Sequence, residues 1–498
     1  MNLSKSKYCE AFQCMKLLWL EENHPEEKGE LDNEAVLDNG TEVGQLAKNI
    51  WGEYIDIPFS SNLKDMIDET ERIIKENEIV NITEASFLYQ SNFCSVDILR
   101  KKKDSYEIYE VKSSTTLKDI YLEDASYQYY VLTSLGYKVD KVCIVHLNGN
   151  YIRKGELNLQ ELFTIVDITE IAKEKIKDIS KKIQEINQYM SKKEEPTDLI
   201  GKQCVKPYDC PFFDYCTKEL EKPNVFNIRG MNFSTKINLY SQGIYTFEDL
   251  RESNINHKYL EQIEFELSDK EDKIEKDKIK EFLKTLEYPL YFLDFETFQQ
   301  AIPQYDGIKP YQQIPFQYSL HYYEEENGKL MHKEFLAEPD IDPRRSLAEA
   351  LVRDIPKDVC TLAYNMSFEK TVIKNLAKLY PDLSDHLMNI HNHIKDLMVP
   401  FYNRCYYTKA MQGSYSIKYV LPALFPDDPS LNYHNLEEVH NGGEAMNAYA
   451  NMGKLSPKEQ ATLRNNLLKY CGLDTYAMVK IYEKLLEVTE KEKILKKS

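Results

Sequence analysis

Two carboxylates, Asp294 and Glu296, stand two residues apart inside the apolar run 291–297. That run predicts a buried β-strand, and strand side chains alternate faces, so both acids point the same way. Two carboxylates on one face among apolar neighbours are unfavourable unless a positive charge lies between them. A pair of divalent metal ions is the usual occupant, and metal-assisted phosphoryl transfer needs such a group of acids. The alternative is a strand that ends at a solvated edge with two surface acids.

Residues that could join this chemistry follow downstream. Glu369 falls in the first turn of a predicted helix, where the helix dipole favours a carboxylate. Tyr470 and Asp474 are four residues apart in a long helix predicted over 467–488, so the phenol and the acid share one helical face. Asp396 is a further acid, either an outer metal ligand or a structural carboxylate.

A second group of chemically active residues is predicted on a hairpin nearer the N-terminus. Asp97 lies on a strand over 94–99, and Glu110 and Lys112 lie on the return strand over 106–113. Glu110 and Lys112 share a face by the period of two, and Asp97 could meet them from the partner strand. An acid pair beside a lysine can hold a metal, orient water and steady a phosphate. A cross-strand ion pair without a catalytic role is equally compatible with the spacing.

Three of the ten cysteines, Cys204, Cys210 and Cys216, stand six residues apart. Structural zinc sites favour pairs about two to four residues apart, and three cysteines leave one ligand missing. The first residues of the chain lack the continuous apolar segment of a secretory signal. We therefore expect a reducing cytoplasm, where clustered cysteines indicate metal rather than disulfides. Five scattered cysteines are interpreted as core or incidental: Cys94, Cys143, Cys360, Cys405 and Cys471.

Length and charge limit the remaining possibilities. A chain of 498 residues predicts roughly three domains, and its 42% apolar content is sufficient for buried cores. It contains no apolar run of about 18 residues, so no membrane span is expected. A net charge of −19 argues against binding nucleic acid by bulk attraction, although it is compatible with a local basic groove.

The hairpin residues resemble the Asp…Glu-x-Lys core of PD-(D/E)xK nucleases, with Asp97 followed by Glu110-Val111-Lys112. Within these nucleases the RecB-like branch fits best. The resemblance implies that Asp97 and Glu110 bind a metal ion and that Lys112 takes part in catalysis.

Further positions match the RecB-like pattern in part. Gly40 and Gly44 correspond to its N-terminal glycine motif. Gln128, in a helix predicted over 122–135, corresponds to its glutamine, which implies a place in the catalytic site. Glu84 stands where some relatives carry an additional acid. The residues after Gln128 depart from the Gln-x-x-x-Tyr spacing of the branch.

The cysteines resemble those of RecB-like nuclease domains with an iron–sulfur cluster, in which one cysteine precedes the nuclease core and three follow it. Cys14 fits the upstream position better than Cys9. The resemblance implies a [4Fe–4S] cluster, and four thiolates are ordinary ligands for one. Its ligands would be Cys14, Cys204, Cys210 and Cys216. The alternatives are zinc that only holds the fold together, and buried thiols without a metal.

The downstream acids resemble, in their order along the chain, the motifs of DEDD exonucleases of the DnaQ-like, ribonuclease H-like superfamily. Asp294 and Glu296 match the first motif, and the turn ending at Glu369 matches the second, with Glu where that family normally has Asp. Tyr470 and Asp474 match the third motif of the tyrosine (DEDDy) branch. The resemblance implies two Mg²⁺ or Mn²⁺ ions on the four acids, with Tyr470 orienting the attacking water. The extra methylene of Glu369 shifts its carboxylate and puts the geometry at the second metal in doubt.

The two resemblances cover nearly the whole chain and imply an α/β (α+β) protein. Residues 1–222 are expected to form a restriction-endonuclease-like, RecB-like domain with the cluster, 223–285 a helical connector, and 286–498 a DEDDy exonuclease-like domain. The expected activity is metal-dependent hydrolysis of phosphodiesters. By analogy it is 3′–5′ digestion of single strands in DNA repair, recombination or defence. The expected partner is nucleic acid, with DNA favoured and RNA also compatible, and not a membrane.

A competing interpretation is a non-catalytic nucleic-acid-binding or scaffold protein in which one or both sites are degenerate. Intact Asp97, Glu110 and Lys112 argue against it for the first site, whereas Glu369 leaves it open for the second. Metal-dependent cleavage of labelled single strands separates the two interpretations.

Overall fold

The computed structural model describes residues 2–29, 34–268, 270–436 and 439–490, without the side chains of 34–39 and 434. The chain divides into two compact units, Met1–Glu219 with Gln300–Gln312, and Leu220–Gln299 with Gln313–Ser498. Helices account for 49% and strands for 18% of the chain, and the sheets are mixed. The α+β class expected from the sequence is therefore confirmed.

The first unit is built on one seven-stranded sheet. Its strands are β1 Leu3–Ser4, β2 Ile55–Asp56, β3 Ile79–Tyr89, β4 Asn92–Lys102, β5 Ser105–Lys112, β6 Val139–Leu147 and β7 Phe163–Asp167. They are ordered β2-β3-β4-β5-β6-β7, and β1 pairs in parallel with β4. The long meander β3-β4-β5 is antiparallel, and β6 runs parallel to β5. Along β4 up to Ile98 buried residues alternate with less buried ones. Side chains two apart on a strand share a face, so Glu110 and Lys112 of β5 point the same way, and β5 pairs with β4, which carries Asp97.

The helices of the first unit are α1 Lys5–Gln13, α2 Met15–Asn23, α3 Glu34–Ala47, α4 Leu63–Glu76, α5 Asp119–Ser134, α6 Leu159–Leu162, α7 Thr169–Met190 and α8 Phe213–Cys216. Most of them pack on this sheet, whereas α8 packs with α2 in a separate apolar cluster. One core joins Leu99 of β4 to Val131 of α5 and Ile179 of α7. The pattern of residues 1–23 predicts one helix, but the structure divides it at Cys14, whose φ of −158° and ψ of 120° are extended. The break takes Cys14 out of the helical register.

The second unit contains a five-stranded sheet of order β11-β10-β9-β12-β13 and a two-stranded sheet. Its strands are β8 Lys273–Ile274, β9 Leu290–Phe298, β10 Ile314–Tyr323, β11 Met331–Leu336, β12 Cys360–Ala363, β13 Ile394–Asp396 and β14 Tyr406–Tyr407. The first three strands of the larger sheet are antiparallel, and β12 and β13 continue it in parallel with β9. The predicted strand 291–297 is thus the central strand of the sheet and is buried on both faces.

Helices cover both faces of the five-stranded sheet. The helices of the second unit are α9 Phe233–Ser241, α10 Phe247–Glu252, α11 Leu260–Leu267, α12 Lys276–Leu283, α13 Arg344–Asp354, α14 Ser367–Leu379, α15 Ser384–His393, α16 Val399–Tyr402, α17 Ile417–Leu424, α18 Gly442–Asn451 and α19 Pro457–Glu490. One core joins the sheet to α13, α14 and α15, and the other joins it to α12, α17 and α19. Within the described ranges, no helix combines the length and the apolar character that crossing a bilayer requires.

Candidate functional site

Three acids of the second unit lie together at the central strand. An oxygen of Asp294, one of Glu296 and one of Asp474 all lie within 4.8 Å of one another. Among the described residues, no other set of three or more acids, cysteines or histidines has ligand atoms this close together. β9 supplies the first two on one face, and α19, which packs on β9 and β10, supplies the third. The structure thus brings together two acids predicted from one strand and one predicted from a helix.

The pKa values of these acids indicate that, within the described residues, the group lacks a compensating positive charge. Burial raises the pKa of Asp294 well above its usual value, and the charges of Asp474, Glu296 and Glu369 raise it further. Burial also raises the pKa of Glu296, and Asp474 adds to the effect. Carboxylates that destabilise one another in this way are stabilised by a cation, and an all-oxygen donor set suits Mg²⁺ or Mn²⁺. The donor set therefore fits the metals that the resemblance implies.

Glu369 lies beside this group rather than inside it. It occupies the first turn of α14, is 3% exposed, and does not lie within 4.8 Å of all three acids. Its Oε2 is buried and accepts no hydrogen bond from any residue that the structure describes. Burial raises its pKa to about 8. A buried carboxylate oxygen without a partner is unfavourable, and a second cation between Glu369 and the three-acid group would satisfy it.

Two tyrosines contact the third acid. The Tyr433 hydroxyl donates to Asp474 Oδ1 at 2.6 Å, and Tyr470, one helical turn before Asp474, also hydrogen bonds to that carboxylate. Burial raises the pKa of Asp474 to about 6, while both hydroxyls and Lys418 act in the opposite sense. Tyr470 was predicted from the helical spacing, whereas no local pattern connects Tyr433 with an acid so far along the chain.

Asp396 is a structural acid in this arrangement. Its carboxylate accepts hydrogen bonds from the backbone N–H groups of Asn365 at 2.9 Å, Met366 at 3.2 Å and Met398 at 2.9 Å. Asn365 has a φ of +66°, so the turn between β12 and α14 depends on such support. Asp396 thus holds the turn leading to Glu369, and its role as an outer metal ligand stays a prediction.

A cavity of about 930 Å³ opens next to the acids. Tyr470, Asp474 and Tyr433 form its inner end, and most of its remaining wall is apolar. The apolar wall residues include Leu421, Pro422, Phe425, Pro426 and Leu431. The charged wall residues are Lys418 and the acids Asp427, Asp428 and Glu444, and His440 contacts Glu444 at 3.0 Å. A cavity of this size and character can hold a molecule as large as a nucleotide.

The first unit brings its predicted residues together as an ion-pair network. Lys112 Nζ donates to Glu110 Oε1 at 2.7 Å and to Asp124 Oδ2 at 2.5 Å. Gln128 Nε2 donates to Glu110 Oε2 at 2.6 Å and to Asp124 Oδ1 at 3.1 Å. Asp97 Oδ2 accepts from the backbone N–H of Val111 at 2.8 Å. Gln128 therefore contacts Glu110, as expected of a residue of this site. Asp124 is a further acid of the network that was not predicted from the sequence.

An ammonium group lies between the two predicted metal ligands of this site. Lys5 Nζ donates to Asp97 Oδ1 at 3.1 Å and to both oxygens of Glu110 at 3.0 Å. Burial opposes the charge on Lys5, but Asp97 and Glu110 hold its pKa above the usual value. The acids fit a divalent cation only if Lys5 moves aside. Lys5 is 92 residues from Asp97 in the chain, so no motif spacing could have indicated it.

The remaining RecB-like positions lie near this network. Burial and the charge of Asp97 raise the pKa of Glu84, whose Oε1 lies 3.7 Å from Lys48 Nζ. A Cβ at Gly40 would lie 3.9 Å from Ser113 Oγ, beside the end of β5, whereas a Cβ at Gly44 would have open space. Glu84 is thus an outer acid, and Gly40 is the glycine that lies close to the site.

The four predicted cluster cysteines line one small cavity, together with Leu17, Leu20 and Phe212. Cys14 enters at the break between α1 and α2, Cys216 ends α8, and the N–H of Cys210 donates to the carbonyl of Cys204 at 2.9 Å. Cys9 instead lines a cavity with Lys112 and Asp124. The structure therefore places Cys14, and not Cys9, with the downstream triplet.

The sulfurs are more widely spaced than a zinc site requires. A tetrahedral zinc with its thiolates at about 2.3 Å puts sulfur atoms about 3.8 Å apart. In the described part of the chain, no three cysteine sulfurs lie within 4.8 Å of one another. Burial raises the pKa of Cys210 to about 12 and that of Cys216 to about 11, so a bound metal centre, zinc and an iron–sulfur core alike, is needed to hold them as thiolates. This donor set fits an iron–sulfur cluster.

A family model described as Domain of unknown function (DUF2779) matches residues 291–416. The matched segment includes β9 with Asp294 and Glu296, and it also includes Glu369, but it ends before α19. No curated protein and no solved structure matches the chain.

Metal binding at the three-acid group is expected to stabilise the protein. Mn²⁺ at about 100 times its Kd should raise the melting temperature at pH 7.5 by roughly 5–10 °C, because it offsets the repulsion among the acids. Burial raises the pKa of Asp474 to about 6 and those of Asp294 and Glu296 well above their usual values. A ligand must be deprotonated to bind the metal, so the shift should shrink as the pH is lowered. Differential scanning fluorimetry measures it.

The variant Asp294→Asn is expected to lose most of this Mn²⁺-dependent shift. Asp382→Asn, which removes a surface acid paired with Arg345, is the matched control and should keep the shift. An equal shift in the wild type and in Asp294→Asn would show that Mn²⁺ binds elsewhere.

Proposed function

We propose that the chain is a metal-dependent nuclease of the cytoplasm that hydrolyses phosphodiester bonds of nucleic acid. The observation that supports this best is the group Asp294, Glu296 and Asp474, whose oxygens lie within 4.8 Å of one another beside a nucleotide-sized cavity. Three mutually destabilising carboxylates next to a tyrosine and a buried, unsatisfied Glu369 suit cation binding better than they suit a purely structural role.

In the second unit, Asp294, Glu296 and Asp474 would hold Mg²⁺ or Mn²⁺, with Glu369 available to a second ion. The metal supplies Lewis acidity for attack of water on the phosphodiester. Tyr470 is fixed by its hydrogen bond to Asp474 and can orient the water, and Tyr433 holds the other side of that carboxylate. The apolar wall of the cavity would take the terminal nucleoside, and Lys418 can pair with a phosphate there. These roles correspond to a DEDDy 3′–5′ exonuclease acting on single-stranded DNA.

In the first unit, Asp97 and Glu110 would bind a metal once Lys5 has moved away, and Lys112 would steady the phosphate. Gln128 and Asp124 hold Glu110 and Lys112 in place. Together with a [4Fe–4S] cluster on the four cysteines, these roles correspond to a RecB-like nuclease. A function in DNA repair, recombination or defence follows from that analogy.

One observation favours a second candidate function for the first unit. Lys5 already neutralises Asp97 and Glu110 through hydrogen bonds of 3.0–3.1 Å. A site whose acids are fully paired could bind nucleic acid without cutting it.

The test uses the full chain with Asp294→Ala, so that only the first site can act. Labelled single- and double-stranded DNA and RNA are incubated with Mn²⁺. Glu110→Ala should lose metal and cleavage together, and Lys112→Ala should slow cleavage by about 10²-fold or more while metal still binds. Lys141→Ala, a partly exposed lysine of β6, is the matched control. Normal cleavage by both site variants would make the hairpin structural.

A further inference from the structure

A second cavity of the first unit, about 580 Å³, leads away from Lys112. It is lined by Tyr121 at the start of α5 and by Tyr208, which lies between Cys204 and Cys210 in the cysteine segment and interacts with Tyr121. Tyr208 is 49% exposed although it lines a cavity. Neither residue has a role in the metal chemistry proposed above.

Lysines and rings alternate along this cavity. Lys112 Nζ lies 5.3 Å from the centre of the Tyr121 ring, Lys118 Nζ lies 5.7 Å from the same ring, and Lys118 Nζ lies 5.3 Å from the Tyr208 ring. No carboxylate in the described ranges lies within 4.0 Å of Lys118 Nζ, so its charge faces rings and solvent. Lys112 is paired with Glu110 and Asp124, so in a chain with a net charge of −19 Lys118 is the positive charge of this cavity that a phosphate can meet.

Two acids also line the cavity, and neither is paired with Lys118. Asp124 is paired with Lys112 at 2.5 Å. Burial and Glu21 raise the pKa of Glu10 to about 7, so its negative charge is partly lost at neutral pH.

The cysteine segment is tied to the first helix at this point. Gln13 Nε2 donates to the carbonyl of Tyr208 and to that of Gln203, both at 2.8 Å. Gln13 directly precedes Cys14, so the same junction that brings Cys14 to the triplet also sets the position of Tyr208. The geometry of the cysteine site and that of the cavity wall are therefore coupled.

We infer that Tyr208 is a stacking subsite for a base of single-stranded nucleic acid, with Lys118 on the adjoining phosphate, in the cleft that leads to Lys112. Single-strand binding combines exposed aromatic rings, on which bases stack, with cations that follow the backbone. A duplex does not fit this description, because its bases are already stacked on one another. The inference rests on the proposed nuclease function of the first site and adds the substrate class and a residue that recognises it.

The test measures kinetics and binding in the full-length Asp294→Ala chain, with a labelled pyrimidine DNA strand, the same strand as RNA, and an abasic strand of equal length. Tyr208→Ala should raise the KM for both base-bearing strands about 5- to 100-fold and leave kcat within about twofold. Tyr208→Phe should restore the KM, because it keeps the ring. The KM for the abasic strand should be the same in the parent chain and in Tyr208→Ala. Lys118→Ala should weaken all strands alike and reduce the salt dependence by about one counterion.

Two further measurements separate the outcomes. They are the iron content of each variant and its affinity for the strands, measured by fluorescence anisotropy without divalent metal. Tyr208→Ala should retain iron and should bind the base-bearing strands more weakly, and Phe59→Ala, which removes a 90% exposed aromatic side chain outside the cavity, should match the wild type. Unchanged affinity in Tyr208→Ala, loss of iron in that variant, or no rescue by phenylalanine overturns the subsite while leaving the nuclease proposal intact. A parent chain that neither binds nor cuts any strand overturns both.

Discussion

Asp294→Ala, in a chain whose first site is disabled by Lys112→Ala, is expected to abolish the remaining digestion of single-stranded nucleic acid. Asp294 is the acid whose pKa is raised by all three of the others, Asp474, Glu296 and Glu369. Asp294 therefore lies close to the other three acids, where its carboxylate would serve as a metal ligand. Loss of one preorganised electrostatic group lowers kcat by about 10²–10³-fold, and loss of a metal ligand should have at least that effect.

The fold should survive this substitution. Removing one of several repelling, buried carboxylates relieves the metal-free protein of an unfavourable charge, so its melting temperature without metal should not fall through electrostatics. Asp474→Ala should behave in the same way. Circular dichroism and the melting temperature check the fold, and release of labelled mononucleotides with Mg²⁺ or Mn²⁺ measures the activity.

Graded variants distinguish a metal ligand from a general disturbance. Tyr470→Phe removes only a hydroxyl that hydrogen bonds to Asp474 and should lower the rate less than Asp294→Ala does. Asp396→Asn, at the acid that holds the turn before α14, should act mainly through stability. A folded double variant of Asp294 and Lys112 that digests single strands at the wild-type rate is incompatible with the proposed exonuclease site.

The sequence predicted the parts of this site that local geometry determines. Asp294 and Glu296 share a face because strand side chains alternate, and Tyr470 and Asp474 share one because a helical turn separates them. The strand lies at the centre of its sheet, where apolar residues on both faces indicate burial. Such periodic features depend only on neighbours in the chain.

Tertiary partners could not be predicted in this way. Tyr433 reaches Asp474 from a short 3₁₀ segment, and Lys5 reaches Asp97 from the first helix. No sequence periodicity indicates either contact, because both contacts depend on how elements distant in the chain pack together. The placement of residues 300–312 could not be predicted either. They follow the central strand of the second unit in the chain, yet they belong to the first unit. There Arg153 Nη1 donates to the carbonyls of Pro303 at 3.0 Å and Gln304 at 2.7 Å.

Cys14→Ser is expected to have the second large effect, loss of the iron–sulfur cluster and of order in the first unit. Cys14 and Cys204 are separated by 190 residues (204 − 14), and a cross-link that closes so long a loop restricts the unfolded chain by about 5 kcal/mol in the loop-entropy description. Four thiolates complete the ligand set, whereas the triplet alone leaves one iron without a protein ligand. Loss of Cys14 should therefore remove both the cluster and the cross-link that it makes between the two ends of the first unit.

The measurements are iron content and visible absorbance of anaerobically purified protein, followed by limited proteolysis. Cys14→Ser should be depleted of iron and should be cut within residues 1–219 and 300–312, which form one unit. Fragments from 220–299 and 313–490 should persist, because these residues form the second unit, which has its own cores on both faces of its sheet. Cys9→Ser is the matched control: Cys9 lines the cavity beside Lys112 rather than the cysteine cavity, so iron and protease resistance should both be retained. If Cys9→Ser loses iron and Cys14→Ser keeps it, the fourth ligand is wrongly assigned, and stoichiometric zinc without iron in the wild type would exclude the cluster itself.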